Sequence, residues 1–121
     1  MGKSMLGNVK LMNAQALGKA ATGYSSSLIF DVAAGDATVL LSSTAGSITV
    51  TQQASIDNIT WYDPVNTSGV AVGAVAAAFT VSTGTYISYT VVLAPYIRFK
   101  VVEGNVAATA ITLNLIYRYE R

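Results

Sequence analysis

The nine residues Ala94-Pro95-Tyr96-Ile97-Arg98-Phe99-Lys100-Val101-Val102 decide the fold. Apolar and polar side chains alternate along this stretch with the period of two that a strand shows when one of its faces is buried. Phe99 therefore lies on the apolar face and Arg98 on the polar face. The proline marks the point where the strand begins. The stretch predicts one strand of an all-β domain with Phe99 in its core.

A second stretch is expected to lie beside the first: Ser47-Ile48-Thr49-Val50-Thr51-Gln52-Gln53-Ala54-Ser55-Ile56-Asp57-Asn58-Ile59-Thr60-Trp61-Tyr62-Asp63-Pro64. It has the pattern of a strand, a tight polar turn and a short second strand. The second strand carries the only tryptophan. We expect Trp61 to share one core with Phe99 and Leu113, because the strands of all three have inward periodicity.

The remainder of the chain continues the β pattern. Residues 38–43 and 48–54 read as separate strands joined by a turn at 44–47, and Thr83-Gly84 reads as a two-residue hairpin loop. Residues 109–119 alternate most regularly of all. About eight short antiparallel strands with glycine-containing turns predict a β-sandwich or jelly roll over residues 27–121.

The first 26 residues differ from this pattern. They carry three of the seven basic residues and no acidic residue. We interpret residues 1–26 as an extended N-terminal arm that becomes ordered against a partner subunit. The alternative is a first strand that pairs at the edge of the sheet.

Composition excludes several classes of function. Charged residues make up 11% of the chain and hydrophobic residues 52%, the net charge is +1, and there is no cysteine and no histidine. A disulfide, a cysteine nucleophile and a Ser-His-Asp triad are therefore impossible within one chain. The charge gives no electrostatic case for nucleic acid or a membrane surface. No signal peptide is recognisable at the start, and the longest low-polarity run, 70–79, is half the length of a membrane span. We expect a soluble protein that is made in the cytoplasm.

The carboxylates suggest no metal or catalytic site. Asp57 and Asp63 flank Trp61 and could form a carboxylate pair of the kind that glycosidases use. Their neighbours favour turn and strand-end roles instead. Asp31, Gly35 and Asp36 could place oxygen atoms around Ca²⁺, but nothing resembles a calcium-binding loop. We expect no cofactor, no metal and no catalytic residue.

Arg98 and Lys100 share a face of their strand. Together with Tyr96 they could form a strip for single-stranded nucleic acid. Two cations are few, however, and salt bridges with Glu103 or Glu120 are the favoured interpretation.

No charged residue occurs between Asp63 and Arg98. A long uncharged β segment is prone to aggregate when its edge is exposed. Either another subunit covers it or it forms the core, and the sequence leaves both readings open.

The segments 52–64 and 94–101 quoted above resemble the small β-sandwich virion proteins of tailed bacteriophages. In that family a Ser-x-Asp-x-x-x-Trp hairpin precedes a Pro-Tyr-Ile-Arg-Phe strand, and the similarity extends over residues 27–119. This chain has Asn58 where many of these hairpins have glycine. The resemblance implies a capsid decoration (cement) protein on the head surface, without catalysis, which forms a homotrimer and binds the major capsid protein. The residues expected at such interfaces are Lys3, Lys10, Lys19, Tyr24, Arg98 and Lys100. The alternative is a carbohydrate-binding or host-binding module of a tail or fibre, with Trp61 and Tyr62 as its platform.

Overall fold

The computed structural model describes residues 4–29 and 36–120, leaving aside the side chains of residues 4, 81, 82, 119 and 120. The all-β class is confirmed, and every strand pairing is antiparallel. No helix in the described ranges is long and apolar enough to cross a membrane. The strands are β1 (Ser4–Leu17), β2 (Thr22–Tyr24), β3 (Leu28–Ile29), β4 (Asp36–Ser55), β5 (Ala74–Thr90), β6 (Tyr96–Glu103) and β7 (Thr109–Glu120).

The strands form one curled sheet in the order β1-β7-β4-β6-β2, with β3 also paired to β6 and β5 to β4. The long strand β4 makes this curl. Its first half pairs with β7 and its second half with β6, while β5 follows its other edge along both halves. The two halves thus belong to different parts of the sheet and enclose the core between them.

The bend in β4 occurs at Gly46. This residue has φ +73°, and a Cβ atom placed on it would lie 2.7 Å from Oε2 of Glu103, so a side chain has neither the conformation nor the space it needs. The turn predicted at 44–47 is therefore wrong: the chain bends without reversing, because β5 stays paired to both halves of β4. The hairpin predicted at Thr83-Gly84 is also wrong, because both residues lie inside the continuous strand β5.

The core confirms two of the three residues predicted to share it. Phe99 and Leu113 are fully buried, and the ring of Phe99 meets the ring of Tyr89 edge-on with 6.0 Å between centroids. Trp61 was predicted wrongly, because it lies outside the core and is only half-buried. The core cluster consists of Leu11, Met12, Leu17, Ala37, Val39, Leu41, Ile48, Val50, Val75, Tyr89, Ile97, Phe99, Val101, Ile111, Leu113 and Leu115.

The N-terminal segment is part of the sheet. β1 pairs along its length with β7, and it supplies Leu11, Met12 and Leu17 to the core. The interpretation as an arm is wrong for these residues, and the alternative of an edge strand is correct. Two register shifts between Lys10 and Gln15, with Ala14 at φ 47°, interrupt the alternation. A strand broken in this way does not show a period of two in its sequence.

Candidate functional site

An arginine held between two aromatic rings forms the most distinctive side-chain arrangement on the surface. The guanidinium carbon of Arg98 lies 4.0 Å from the ring centroid of Tyr24 and 4.5 Å from that of Trp61. Both distances lie within the range of cation–π attraction. We call these three residues the arginine stack. It joins β6, β2 and the segment that follows β4.

The turn after β4 brings Trp61 to Arg98. Asp57 accepts hydrogen bonds from the backbone N–H groups of Ile59 and Thr60, and Asn58 adopts the left-handed conformation with φ 62°. Two backbone hydrogen bonds of 3.0 Å then join Ala54 and Tyr62. The hydrogen bond from Thr60, followed by that from Ile59, lowers the pKa of Asp57. Asp57 is therefore a turn residue, as the sequence indicates, and asparagine takes the left-handed position that glycine would otherwise occupy.

A chain of polar contacts holds the arginine stack in place. Nε of Arg98 donates to Oε1 of Gln53 at 2.8 Å, and Nε2 of Gln53 donates to Oδ1 of Asp63 at 2.8 Å. Nζ of Lys100 lies 2.6 Å from Oδ2 of the same aspartate. The hydrogen bond from Lys100 is the main cause that lowers the pKa of Asp63. Asp63 thus anchors the end of the turn segment to β6.

Glu103 does not pair with Arg98 or Lys100, in contrast to the salt bridge that the sequence suggests. It belongs to the opposite, buried face of β6. Its carboxylate accepts hydrogen bonds from the backbone N–H groups of Ala20, Ser47 and Val106 at 2.9, 3.2 and 2.9 Å. These bonds, of which that from Ala20 contributes most, lower its pKa to about 2. Glu103 is a structural carboxylate that ties the loop before β2 and the loop after β6 to the bend in β4.

Three of the predicted interface residues are brought together. Tyr24 and Arg98 form the stack, and Lys100 joins the adjoining network. Lys10 and Lys19 are exposed elsewhere: the first lies on β1, and the second lies in the turn before β2. Lys3 falls outside the described residues.

Beside the arginine stack lies an end of the molecule that exposes apolar side chains. Ile56 and Ile59, at the tip of the turn, are 83% and 80% exposed. Next to them a cleft of about 300 Å³ is lined by Ala54, Ser55, Ile56, Tyr62, Leu93, Ala94 and Pro95. We call the surface formed by Ile56, Ile59, Tyr62 and Leu93 the apolar tip. Contiguous exposed apolar surface of this kind marks an interaction site more often than an isolated leucine does.

The described ranges contain no cluster of three or more side chains suited to a metal ion. Asp36 accepts a hydrogen bond from the hydroxyl of Thr90, and the other members of the calcium possibility, Asp31 and Gly35, lie outside the described residues.

Sequence reasoning missed Gln53 and the apolar tip. Gln53 is buried and lies between Arg98 and Asp63. In the sequence, however, it cannot be told apart from any other polar residue of a strand. The tip did leave a signal, because Ile56 and Ile59 are apolar residues in a turn whose other members are polar.

Comparison with known proteins supports the fold. No family model matches the chain, and no curated protein is similar to it in sequence. A chain from the Bacillus endospore appendages, described as disulfide-linked pili, is similar in structure with a TM-score of 0.54 and 12% identity, covering 99% of this chain and 90% of that one. The SPBc2 prophage-derived protein YomS has a TM-score of 0.52 and 12% identity, over 93% and 95% of the two chains. A chain of infectious bursal disease virus, Gx strain, has a TM-score of 0.50 and 12% identity, over 97% of this chain and 32% of that one.

At these identities the similarity concerns the fold alone.

Proposed function

We propose that the protein is a non-enzymatic structural component of a phage virion: a capsid decoration protein that binds the outside of the assembled head and stabilises it. The observation that carries the proposal is the apolar tip. Large apolar side chains on a hydrogen-bonded turn, with an arginine stacked on the tryptophan of the same segment, have the composition of a protein–protein interface, where aromatic residues and arginine are enriched. The resemblance of segments 52–64 and 94–101 to phage virion proteins supplies the identity of the partner, the major capsid protein.

The roles of the acidic side chains support a function without catalysis. Asp57 holds a turn, Asp63 forms an ion pair, and Glu103 accepts backbone hydrogen bonds. Each of them is explained by the fold and none needs a substrate. We propose accordingly that the protein uses no cofactor and binds neither nucleic acid nor membrane.

The site of the grip differs from the one that the sequence suggests. Three of the expected interface residues, Lys3, Lys10 and Lys19, belong to the predicted N-terminal arm, but β1 contributes three core residues to its own sheet. Deleting this segment would remove a strand and expose the core, so attachment is better tested with single exposed residues. We therefore assign capsid binding to the apolar tip and the arginine stack. The copies on one shell would add many weak contacts, which gain strength through multivalency, and binding to the assembled shell alone would stabilise it by mass action.

The test uses exposed residues whose replacement leaves the fold intact. Ile56→Asp places a charge on the apolar tip, and Leu6→Asp places the same charge on a residue of β1 that is 73% exposed. We expect the full chain to co-sediment with purified capsid shells and to raise their melting temperature. Ile56→Asp should weaken this binding at least about tenfold, in line with the cost of burying an unpaired charge. Leu6→Asp should bind like the unmodified chain. Equal binding by both variants would remove the apolar tip, and no binding by the full chain would remove the proposal.

One observation favours a second candidate, a carbohydrate-binding or host-binding module of a tail or fibre. Trp61 lies outside the core, and its neighbour Tyr62 is 66% exposed. Aromatic side chains at a surface can stack on sugar rings. Tyr62→Ala is a sharper test than Trp61→Ala, because Trp61 also holds Arg98. If the full chain ignores shells but binds cell-surface glycans, and Tyr62→Ala abolishes that binding, the second candidate is correct.

A further inference from the structure

Strand β5 lies at an edge of the sheet. Within the described ranges, β4 is the only strand that pairs with the run Tyr86–Thr90, so no strand lies along the other edge of this run. Ala74–Thr90 contains no charged residue and no proline. Natural proteins usually protect such an edge with lysine, proline or bulges, because an open edge can pair with another strand.

The other long edge strand, β1, is protected in this way. It carries Lys10, two register shifts, and Ala14 in the left-handed conformation. β5 also has register irregularities and a left-handed residue, Ala78, but these lie before residue 85. From Tyr86 to Thr90 it pairs residue by residue with β4 and without a shift. This run is uncharged, rich in β-formers and regular, which makes it the segment of the sheet best suited to pair with a further strand.

We propose that the run Tyr86–Thr90 pairs with the same run of a second copy of this chain, antiparallel and across a two-fold axis at Ser88. The proposal goes beyond shell binding and stands whether or not the protein binds a capsid. It gives two-fold contacts, in place of the trimer that the family resemblance implies.

The side chains of the run favour a second copy as the partner. A two-fold axis perpendicular to the sheet places side chains of the same face opposite each other. With the axis at Ser88, Tyr86 meets Thr90 of the partner subunit on the outer face. On the inner face Ile87 meets Tyr89 of the partner subunit. Both are pairs of an aromatic with a β-branched residue, which are favourable across antiparallel strands.

The absence of charge also suits self-pairing. In this two-fold contact Ser88 meets its own copy, so a lysine or glutamate at that position would be repelled by its symmetry mate. The run has no such residue. Tyr86, which is 69% exposed in the monomer, would gain a neighbour across the contact. A foreign strand could use the backbone edge too, but it would not benefit from this internal match.

Disulfide trapping tests the contact directly, because the natural chain has no cysteine. In the proposed pair the two Ser88 Cα atoms lie about 4.5 to 5.5 Å apart, within the range that a disulfide bridges. Ser88→Cys in the full chain should therefore form a covalent dimer under mild oxidation. Thr90→Cys is the matched control: it lies on the same face of the same strand, but the two copies of residue 90 are about 14 Å apart along the strands. It should remain uncrosslinked.

Charge variants provide an independent test of the same contact. Ser88→Lys and Ser88→Glu should each shift the unmodified dimer to monomer in sedimentation experiments, and an equimolar mixture of the two should recover the dimer, because opposite charges then face each other. Circular dichroism checks that each variant is folded.

Three results would overturn the proposal. They are a monomeric natural chain at high micromolar concentration, equal crosslinking of the two cysteine variants, and a trimer in which Ser88→Cys does not crosslink. None of them bears on shell binding, which is measured separately with Ile56→Asp.

Discussion

The two faces of β6 differ in almost everything that determines their role. The inner face carries Ile97, Phe99 and Val101, all fully buried among apolar residues, and ends at Glu103. The outer face carries Arg98, which contacts the ring of Trp61, and Lys100, which forms an ion pair with Asp63.

The inner face is stabilised by the hydrophobic effect, because it removes a large apolar area from water. This effect does not depend on the direction of individual contacts. The outer face is held by a few directional interactions that are partly exposed to solvent. Each of these interactions is weak. One strand therefore combines a stable support with a surface that can be altered at low cost to the fold.

The largest expected effect of changing one side chain comes from the centre of the inner face. Phe99→Ala should lower the free energy of unfolding by about 3 to 5 kcal/mol, because it removes a buried ring and leaves a cavity beside Tyr89. Urea unfolding followed by circular dichroism measures the loss. Tyr96→Ala, which removes a ring from the half-buried outer face of the same strand, is the matched control and should cost less. A cost below about 1 kcal/mol for Phe99→Ala would contradict the distinction between the faces.

The inner face was predictable from sequence and the outer face was not. Alternation with period two places Ile97, Phe99 and Val101 together without any knowledge of their neighbours. The contacts of Arg98 depend on Tyr24 and Trp61, which lie far away in the chain and reach it through pairing that no local pattern contains. The alternation correctly placed Arg98 on the outer face of its strand, but the sequence reading placed Trp61 in the core.

The bends show the same limit for the strands. A glycine with small polar neighbours, as in Thr44-Ala45-Gly46-Ser47, is typical of a turn and of a bulge alike. What separates the two is whether the next strand stays paired on both sides of the bend, and that is decided by β5, distant in sequence. Reading β4 and β5 as shorter strands joined by turns followed from this ambiguity. The class of fold was unaffected, because bends and turns both leave the flanking residues extended.

Glu103 is the polar end of the inner face, and we expect it to make stability depend on pH. Its pKa lies near 2 in the folded protein, against an ordinary value of 4.5. A lowered folded-state pKa contributes stability that is present above the ordinary value and is lost as pH falls through the folded-state value. The urea midpoint should therefore decrease between about pH 4.5 and pH 2.

Replacing the carboxylate tests its share of that decrease. Glu103→Gln should be less stable than the natural chain at neutral pH, because its amide group turns donors toward backbone N–H groups. The urea midpoint of the variant should depend less on pH in the same window. Some slope will remain, since the pKa values of Asp57 and Asp63 are lowered as well. Parallel curves for the two proteins would show that the hydrogen bonds to Glu103 do not stabilise its charged form.

The smallest expected effect lies on the outer face, where Arg98→Lys should cost about 1 kcal/mol, the scale of a cation–π contact that is partly desolvated. Lysine keeps the charge but loses the planar group that two rings can cover, and it loses the Nε donor to Gln53.

Because Trp61 is the only tryptophan, its fluorescence reports on the arginine stack alone. We expect the emission of Arg98→Lys to shift toward that of a solvated indole while circular dichroism still shows a folded sheet. Lys100→Ala is the control, since it removes the neighbouring ion pair but neither ring contact, and it should leave the emission close to that of the natural chain. If Arg98→Lys leaves the emission unchanged, the turn segment holds Trp61 in place without the arginine, and the apolar tip next to it owes its rigidity to Asp57 and the Ala54–Tyr62 hydrogen bonds.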